Sequence, residues 1–226
     1  MVDELIAALR AEFEALADPA RAPAMAAYMK EIGPFLGVAA PIRRQAQRRA
    51  VDRLGGRSLR PSERELAGLL QGLWAEPERE FHYAACDLVH RWAKGVSAGF
   101  LGQLERALVT KSWWDTVDGL APAVGRLVVA HPELQTVLDR WNHSPDRWLV
   151  RVSIIHQLGD RGATDEAVLF RRCAAQSGHR DFFVRKAIGW ALRDYARTSP
   201  DAVAAFVASH PDLSGLSRRE ALKHLR

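Results

Sequence analysis

The chain has 226 residues, 48% of them hydrophobic, so it is long enough to bury a substantial core as one domain or one continuous repeat array. Its 32 Lys and Arg residues against 27 Asp and Glu give a formal net charge of +5, which favours a polyanionic partner without naming one. The two cysteines, Cys86 and Cys173, lie far apart and outside any C-x-x-C spacing, which argues against a disulfide framework or a zinc site. We expect both to be small buried hydrophobic side chains.

The N-terminal segment MVDELIAALRAEFEAL carries acidic residues every few positions. It predicts an amphipathic helix, unlike the basic and then apolar plan of a signal peptide. No stretch approaches the roughly 18 consecutive apolar residues that a membrane span needs. We therefore expect a cytoplasmic protein with no membrane partner.

Apolar residues recur at helical spacing along almost the whole chain, and alternating β-type runs rich in Val, Ile and Thr are missing. Pro or Gly interrupts this pattern at intervals of roughly 10 to 20 residues, and Pro61 in the segment RPSERELAGLL fits a capped helix start. The pattern predicts an all-α protein of about a dozen short helices, forming a single domain over residues 1–226.

A repeat becomes visible when aromatic residues near the starts of the central helices are aligned. They are separated by 33, 34 and 35 residues: Phe81, Trp114, Trp148 and Phe183. Helix pairs of this period bury their apolar faces only against their neighbours, so the spacing predicts HEAT-like helical repeats stacked into a curved α-solenoid with a concave, basic groove. Chance spacing in a generic helical protein is the alternative.

The segment TKSWWDTVDGLAPAV predicts one helix with two different faces. Its apolar core stripe has spacings of four, three and four: Trp113, Val117, Leu120 and Val124. Trp114 and Asp118 are also neighbours at i, i+4, on a stripe rotated by about 100° from the first. An exposed indole beside a carboxylate suggests a binding site; the alternative is that Trp114 packs on an adjacent repeat while Asp118 pairs with an arginine. Asp115 is offset from that stripe, and we expect a structural acid at the helix start.

Arg151, in the segment RWLVRVSIIHQL, has Trp148 three residues before it and Ile155 four residues after it. Its guanidinium therefore rises from an apolar stripe and needs a partner. An ion pair with Asp118 or another acid and a contact with a phosphate both remain open. One arginine can bind an acid and a phosphate in turn, because its guanidinium group offers five N–H donors.

Trp190, in the segment FFVRKAIGWALRDY, has Lys186 four residues before it and Arg193 three residues after it. An aromatic side chain flanked by cations is typical of a nucleic-acid face, and a tryptophan at the edge of a core is the alternative. Two further basic clusters either contact phosphates or solvate the surface: Arg43, Arg44, Arg48 and Arg49, and Arg218, Arg219 and Lys223.

The sequence contains no motif of the other common enzyme classes. The histidines show no H-E-x-x-H or comparable metal spacing, and the sequence contains no G-x-G-x-x-G, no P-loop and no G-x-S-x-G elbow. We therefore expect no metal site and no cofactor.

Taken together and in this order, KSWWDTVD, WLVRVSIIHQL and FFVRKAIGWALRDYA closely resemble the AlkD-like DNA alkylation repair family. The segments AAYMKEIGPFLGV, LWAEPEREFHYAACDLV and SRREALKHL resemble it as well, so the resemblance spans about residues 4 to 226. Members often continue beyond the LKHLR segment at which this chain ends, which leaves a trimmed tail or a missing terminal cap as alternatives.

The resemblance implies a monofunctional DNA glycosylase that hydrolyses the N-glycosidic bond of cationic N3- and N7-alkylated purines in duplex DNA. Such an enzyme excises lesions of the 3-methyladenine and 7-methylguanine type in base excision repair, and we expect a monomer that is nucleoid-associated when bound to DNA. The alternative is a non-catalytic HEAT-like module that recognises distorted duplex.

By the same resemblance, the catalytic acid of the family falls on Asp118 and its paired arginine on Arg151. The two indoles that face the lesion fall on Trp114 and Trp190, and Tyr28 falls where members bring an N-terminal aromatic side chain toward the same cleft. Members that lack the acid are not expected to be active. This chain keeps the acid, which favours an enzyme.

Overall fold

A computed structural model describes residues 1–225, and these residues form thirteen α-helices and four short 3-10 helices without a β-strand. The all-α prediction is therefore confirmed. Backbone contacts group the chain into two compact units, an N-terminal unit of Met1–Leu120 and a C-terminal unit that starts at Ala121. A single domain over residues 1–226 stays a prediction, and its last residue, Arg226, lies outside the described residues. None of the described helices is long and apolar enough to cross a membrane.

The N-terminal unit contains six helices and the start of a seventh. They are α1 (Val2–Glu14), α2 (Ala22–Tyr28), α3 (Ala40–Arg53), α4 (Glu63–Ala75), α5 (Arg79–Trp92), α6 (Leu101–Val109) and the first residues of α7 (Trp114–Ala130). Helix α1 packs against α3 and α4, and α4 packs against α5. Leucines from α1 and α4 fill the core, where the rings of Phe13 and Phe81 lie 5.3 Å apart. This unit therefore has its own hydrophobic core.

The start of α4 shows how local hydrogen bonds fix a helix boundary. Ser62 precedes the helix, and its hydroxyl accepts a hydrogen bond from the backbone N–H of Glu65 at 3.3 Å. The Glu65 carboxylate accepts a hydrogen bond from the backbone N–H of Ser62 at 2.9 Å. This reciprocal pair is a capping box. The predicted helix start is therefore present, with Ser62 as its cap and Pro61 just outside the helix.

The C-terminal unit contains the rest of α7 and six further helices. They are α8 (Gln135–Asn142), α9 (Arg147–Ile155), α10 (Glu166–Ala175), α11 (Phe182–Tyr195), α12 (Pro200–Ser209) and α13 (Gly215–Ala221). The side chains of Asp146, Asp165 and Asp181 accept hydrogen bonds from the first backbone N–H groups of α9, α10 and α11. Such caps satisfy donors that have no partner inside the helix. Helix α11 lies between α9 and α13 and packs against both.

The aromatic period of the sequence marks successive helix starts. Each of the four aligned residues lies within the first three residues of its helix: Phe81 in α5, Trp114 in α7, Trp148 in α9 and Phe183 in α11. Helices pack in sequential pairs, α4 with α5, α8 with α9, α10 with α11 and α12 with α13. This is the arrangement that helical repeats predict. The concave, basic groove stays a prediction.

Candidate active site

A buried hydrogen-bond network holds the start of α7 against α5. The guanidinium of Arg79 is fully buried and donates to the carboxylate of Asp115 and, at 2.7 Å, to the backbone carbonyl of Lys111. The Tyr83 hydroxyl donates to the second oxygen of the same carboxylate. Burial, together with the charge of Asp115, raises the pKa of Tyr83 far above its usual value, so this hydroxyl keeps its proton. Asp115 is thus the structural acid that the sequence predicts.

Lys111 fixes the loop that leads into α7. Its backbone adopts a left-handed conformation with φ of 50°, which is uncommon for a residue other than glycine. Its ammonium group donates to the last carbonyls of α4, at 2.7 Å from Trp74 O and 2.8 Å from Glu76 O. A cation at a helix C-terminus satisfies carbonyls that have no partner inside the helix. The loop that places Trp114 is therefore tied to both α4 and α5.

The start of α7 has the two faces that the sequence predicts. Val117, Leu120 and Val124 are almost completely buried, whereas Trp113, the fourth member of the predicted core stripe, is only partly buried. Trp114 and Asp118 are both partly buried and lie one turn apart on the other face. The core therefore leaves both residues partly accessible.

Tyr28, at the end of α2, reaches the Trp114 indole. Their ring centroids lie 6.5 Å apart with the ring planes at 83°, an edge-to-face arrangement. Tyr28 is 72% exposed. Both rings line a cavity of about 600 Å³ together with apolar and aromatic side chains such as Met25, Phe35 and Tyr83. Sequence reasoning did not find this cavity, because its lining comes from separate helices and from the segment after α2.

Arg43 and Arg44 have different surroundings, although they are adjacent in the sequence. Arg43 is 2% exposed and donates to Gln47 Oε1 at 3.0 Å and to Asp87 Oδ2 at 2.7 Å. Arg44 is mostly exposed, with its Nε 3.7 Å from the same Asp87 oxygen. The structure therefore pairs the buried Arg43 with Gln47 and the partly exposed Asp87, and a phosphate contact of Arg43 stays a prediction. A phosphate contact of Arg44 stays a prediction.

In the C-terminal unit, Arg151 lies against Trp190 and the start of α11. The arginine is buried, as its position on an apolar stripe predicts, and its Nη1 donates to the backbone carbonyl of Phe183 at 2.6 Å. The central guanidinium carbon is 5.8 Å from the ring centroid of Trp190, within the range of a cation–π interaction. Arg151 therefore helps to position this indole.

Lys186 and Arg193, the two cations beside Trp190, share one carboxylate. Glu220 of α13 accepts hydrogen bonds from Lys186 Nζ at 2.9 Å and from Arg193 Nη1 at 2.6 Å. The hydrogen bond from Lys186 and the charges of both cations lower the pKa of Glu220. Sequence reasoning missed this carboxylate, because it lies 34 residues from Lys186 on another helix. The two cations and the carboxylate together carry one net positive charge, and DNA contacts of Lys186 and Arg193 stay predictions.

Arg218 and Arg219 of the second basic cluster also differ in their surroundings, as Arg43 and Arg44 do. Arg218 donates to the carbonyls of Val207 at 3.3 Å and His210 at 3.2 Å, at the end of α12. Arg219 is exposed. Arg218 therefore caps a helix C-terminus, and phosphate contacts of Arg218 and Arg219 stay predictions.

Asp118 belongs to the N-terminal unit, whereas Arg151 and Trp190 belong to the C-terminal unit. Within the units, the structure brings Trp114 to Tyr28 and Arg151 to Trp190. The pairing of Asp118 with Arg151 stays a prediction.

Several groups that could carry other chemistry are buried and structural. The thiols of Cys86 and Cys173 are buried, and burial raises the pKa of both far above the usual value, which agrees with their predicted role as small hydrophobic side chains. Burial lowers the pKa of His82 to about 4 and that of His156 to about 3, so both imidazoles are neutral at pH 7. Over residues 1–225, no group of three or more His, Cys, Asp and Glu side chains has an arrangement that could hold a metal ion.

The described residues form an all-α protein of pairwise packed helices, in which Trp114, Asp118 and Trp190 are partly accessible. A model of the family described as DNA alkylation repair enzyme matches residues 9–225, so the chain belongs to this family, and the resemblance stated above is confirmed. A solved structure of a predicted DNA alkylation repair enzyme from Enterococcus faecalis is similar, with 28% identity and a TM-score of 0.83 over 92% of this chain and 96% of that chain. No curated protein matches the chain with significance. Family membership supports a DNA repair role, an enzyme activity and DNA as the partner.

Proposed function

We propose that this protein is a monofunctional DNA glycosylase that hydrolyses the N-glycosidic bond of N3- and N7-alkylated purines in duplex DNA. The observation that carries the proposal is the face of α7 on which Trp114 and Asp118 lie one turn apart, both partly accessible, in a chain of this family. A carboxylate beside an electron-rich ring is suited to a cationic substrate. Alkylation at N3 or N7 gives a purine a positive charge.

The chemistry needs little help from the protein, because the alkylated purine is already a good leaving group. The C1′–N9 bond breaks, its electron pair neutralises the purine, and positive charge develops on the sugar. The Asp118 carboxylate stabilises that charge and orients a water molecule, which forms the new bond to C1′ and releases a proton to the solvent. The products are the free base and an abasic site.

The aromatic side chains bind the charged nucleotide in this proposal. The faces of Trp114 and Trp190 attract the cation, and each such contact contributes about 0.5 to 2 kcal/mol. Tyr28 supports the Trp114 indole edge-to-face, and Arg151 supports Trp190 through its position 5.8 Å from the ring centroid.

The chain is proposed to hydrolyse the bond without cleaving the DNA strand. Strand cleavage by a glycosylase requires an amine that forms a Schiff base with the sugar. The ammonium groups of Lys111 and Lys186 already make hydrogen bonds, Lys111 to carbonyls of α4 and Lys186 to Glu220. Phosphate contacts of Arg44 and Arg219, with the remaining charge of Lys186 and Arg193, would make binding depend on salt.

The decisive experiment is incubation with duplex DNA that carries one 7-methylguanine, followed by measurement of the released base. We expect release well above the spontaneous rate and an intact strand until the abasic site is cleaved by alkali. Asp118→Asn should slow release by about 10²- to 10³-fold, the usual cost of removing one transition-state contact. Asp201→Asn, which changes an exposed acid on α12, is the matched control and should leave the rate unchanged.

Release no faster than the spontaneous rate would overturn the glycosylase proposal. Salt-dependent binding to distorted duplex without release would then support the alternative, a non-catalytic HEAT-like DNA-binding module. Absence of binding to any duplex would overturn both.

A further inference from the structure

Two adjacent phenylalanines at the start of α11 have opposite surroundings. Phe183 packs inward, with its ring centroid 4.9 Å from that of Trp148. Phe182 lies edge-to-face on Phe183 at 5.4 Å and is 51% exposed. An aromatic ring held in one orientation by its neighbour, yet half exposed to water, has a face available for a partner.

Two exposed arginines lie close to Phe182, one over the neighbouring Phe183 ring and one two residues before Phe182 in the chain. Arg147, at the start of α9, stacks over Trp148 at 4.9 Å and over Phe183 at 5.6 Å, and it remains 46% exposed on its side chain. One of its nitrogens lies 3.2 Å from Asp181, which leaves further N–H donors for an anion. Arg180, two residues before Phe182, is also exposed. We call Phe182, Arg147 and Arg180 the Phe182 patch; an exposed aromatic ring with two exposed cations has the composition of a surface that binds nucleic acid.

Arg147 and Phe182 lie on α9 and α11, the two helices that carry Arg151 and Trp190. Arg147 precedes Arg151 by one turn of α9, and Phe182 precedes Trp190 by eight residues of α11, a rise of about 12 Å. Phosphates on one strand of a duplex follow each other at about 3.4 Å along the axis. A duplex that binds with its lesion at Trp190 and its axis along α11 would therefore reach the patch about three to four nucleotides from the lesion.

We propose that the Phe182 patch is a second DNA contact, at which Arg147 and Arg180 bind backbone phosphates while the Phe182 ring packs against nucleotides that flank the lesion. The inference rests on the proposed function, since it takes duplex DNA as the partner. The two parts of the patch act differently. Phosphate contacts add affinity for every duplex, whereas an apolar ring is inserted at lowest cost into a duplex that a nearby lesion has already made easier to kink. Phe182 therefore favours damaged duplex over intact duplex.

The test measures binding of wild type and variants to two duplexes, one intact and one with a stable abasic-site analogue. Phe182→Ala should weaken binding to the abasic duplex by about 5- to 20-fold, as expected for loss of one aromatic stacking contact, and binding to the intact duplex by less than about 2-fold. Phe182→Trp should retain the wild-type preference for the abasic duplex over the intact duplex. Val129→Ala, which shortens the 76% exposed Val129 of α7, is the matched control and should change neither affinity. Arg147→Met should weaken both complexes and reduce the salt dependence by about one phosphate contact.

The position of the patch gives a second measurement. Two further duplexes are each trimmed to two base pairs on one side of the lesion, one duplex for each side. The effect of Phe182→Ala on binding should disappear in one of these duplexes and persist in the other. Equal effects of Phe182→Ala and Val129→Ala on every duplex would overturn this inference alone, provided that wild type releases the alkylated base. A wild-type protein that neither binds duplex nor releases base would instead overturn the proposed function.

Discussion

Arg79 of α5 donates a hydrogen bond to Asp115 at the start of α7, and neither charge has access to more than a trace of solvent. The two acids near the start of α7 thus have separate roles. Asp115 fixes the helix start through Arg79 and Tyr83, and Asp118, three residues later, lies on the face proposed to meet the substrate. Such a buried pair is costly to break on one side, because the remaining charge has no compensation.

Arg79→Met should therefore destabilise the protein strongly. The variant leaves the Asp115 carboxylate with the Tyr83 hydroxyl but without its cation, and the loss of one member of a buried ion pair costs about 3 to 5 kcal/mol. Unfolding in urea measures the change in the free energy of unfolding. Arg44→Met, at an exposed position on α3, is the control and should stay within about 0.5 kcal/mol of wild type. Equal stability of the two variants would contradict the structural role of Arg79.

Arg151→Lys should reduce base release even though it keeps the positive charge. A lysine cannot reproduce the planar fork that donates to the Phe183 carbonyl while lying against Trp190. A charge-assisted hydrogen bond contributes about 1.5 to 3 kcal/mol, so we expect the single-turnover rate to fall by about 10-fold or more. Arg171→Lys, at an exposed arginine of α10 that pairs with Asp139, should leave the rate unchanged. Similar rates for both variants would show that only the charge matters at position 151.

Gly189→Ala should destabilise the contact between α11 and α13. A Cβ at this position would lie 2.5 Å from Glu220 Cβ and 2.9 Å from the Ser217 carbonyl oxygen, so the helices would have to move apart. Overpacking of this kind costs about 1 to 3 kcal/mol. The melting temperature measures the effect. Gly102→Ala in α6 is the opposite case, because a Cβ there meets nothing within 4 Å, and it should raise stability by up to about 1 kcal/mol.

The free energy of unfolding should decrease as the pH falls from about 6.5 toward 4, the interval between the usual histidine pKa and the lowered value of His82. Over this interval His82 and His156 stay largely neutral in the folded protein, because burial lowers their pKa values to about 4 and about 3. The unfolded chain takes up these protons, so it binds more of them than the folded state. Each histidine then contributes a loss of up to about 1.4 kcal/mol per pH unit.

Urea unfolding at several pH values measures this dependence. His156→Gln removes one titrating group, so its stability should fall less steeply with decreasing pH than that of wild type. Parallel curves for the variant and wild type would contradict the assignment of His156 as a buried neutral group.

Helix positions could be predicted from the sequence because the signals that set them are local. The aromatic residues spaced by about one repeat mark the first turns of α5, α7, α9 and α11 because aromatic and apolar side chains recur where each helix enters the core. The two faces of α7 followed from helical periodicity alone, since Val117 and Leu120 are buried while Asp118 is partly accessible. Only Trp113, at the margin of the core stripe, is less buried than predicted.

The roles of the cations could not be predicted in the same way. Arg43, Lys186 and Arg193 all fit a phosphate-binding pattern in the sequence, yet the structure gives them carboxylate partners, Asp87 of α5 for Arg43 and Glu220 of α13 for the other two. These partners lie 27 to 44 residues away along the chain. A charge pattern shows that a cation is present, and it does not show which anion will neutralise it.

The sequence by itself determined the all-α fold and the helix starts, because hydrogen bonds within a helix and its apolar stripe depend on residues a few positions apart, and its resemblance to known members indicated the family. The tertiary structure alone decided that Arg79 holds Asp115, that Arg151 lies over Trp190, and that Phe182 is left exposed while Phe183 is packed. The physical reason is that each of these outcomes depends on the close approach of helices distant in the chain, which no local pattern specifies.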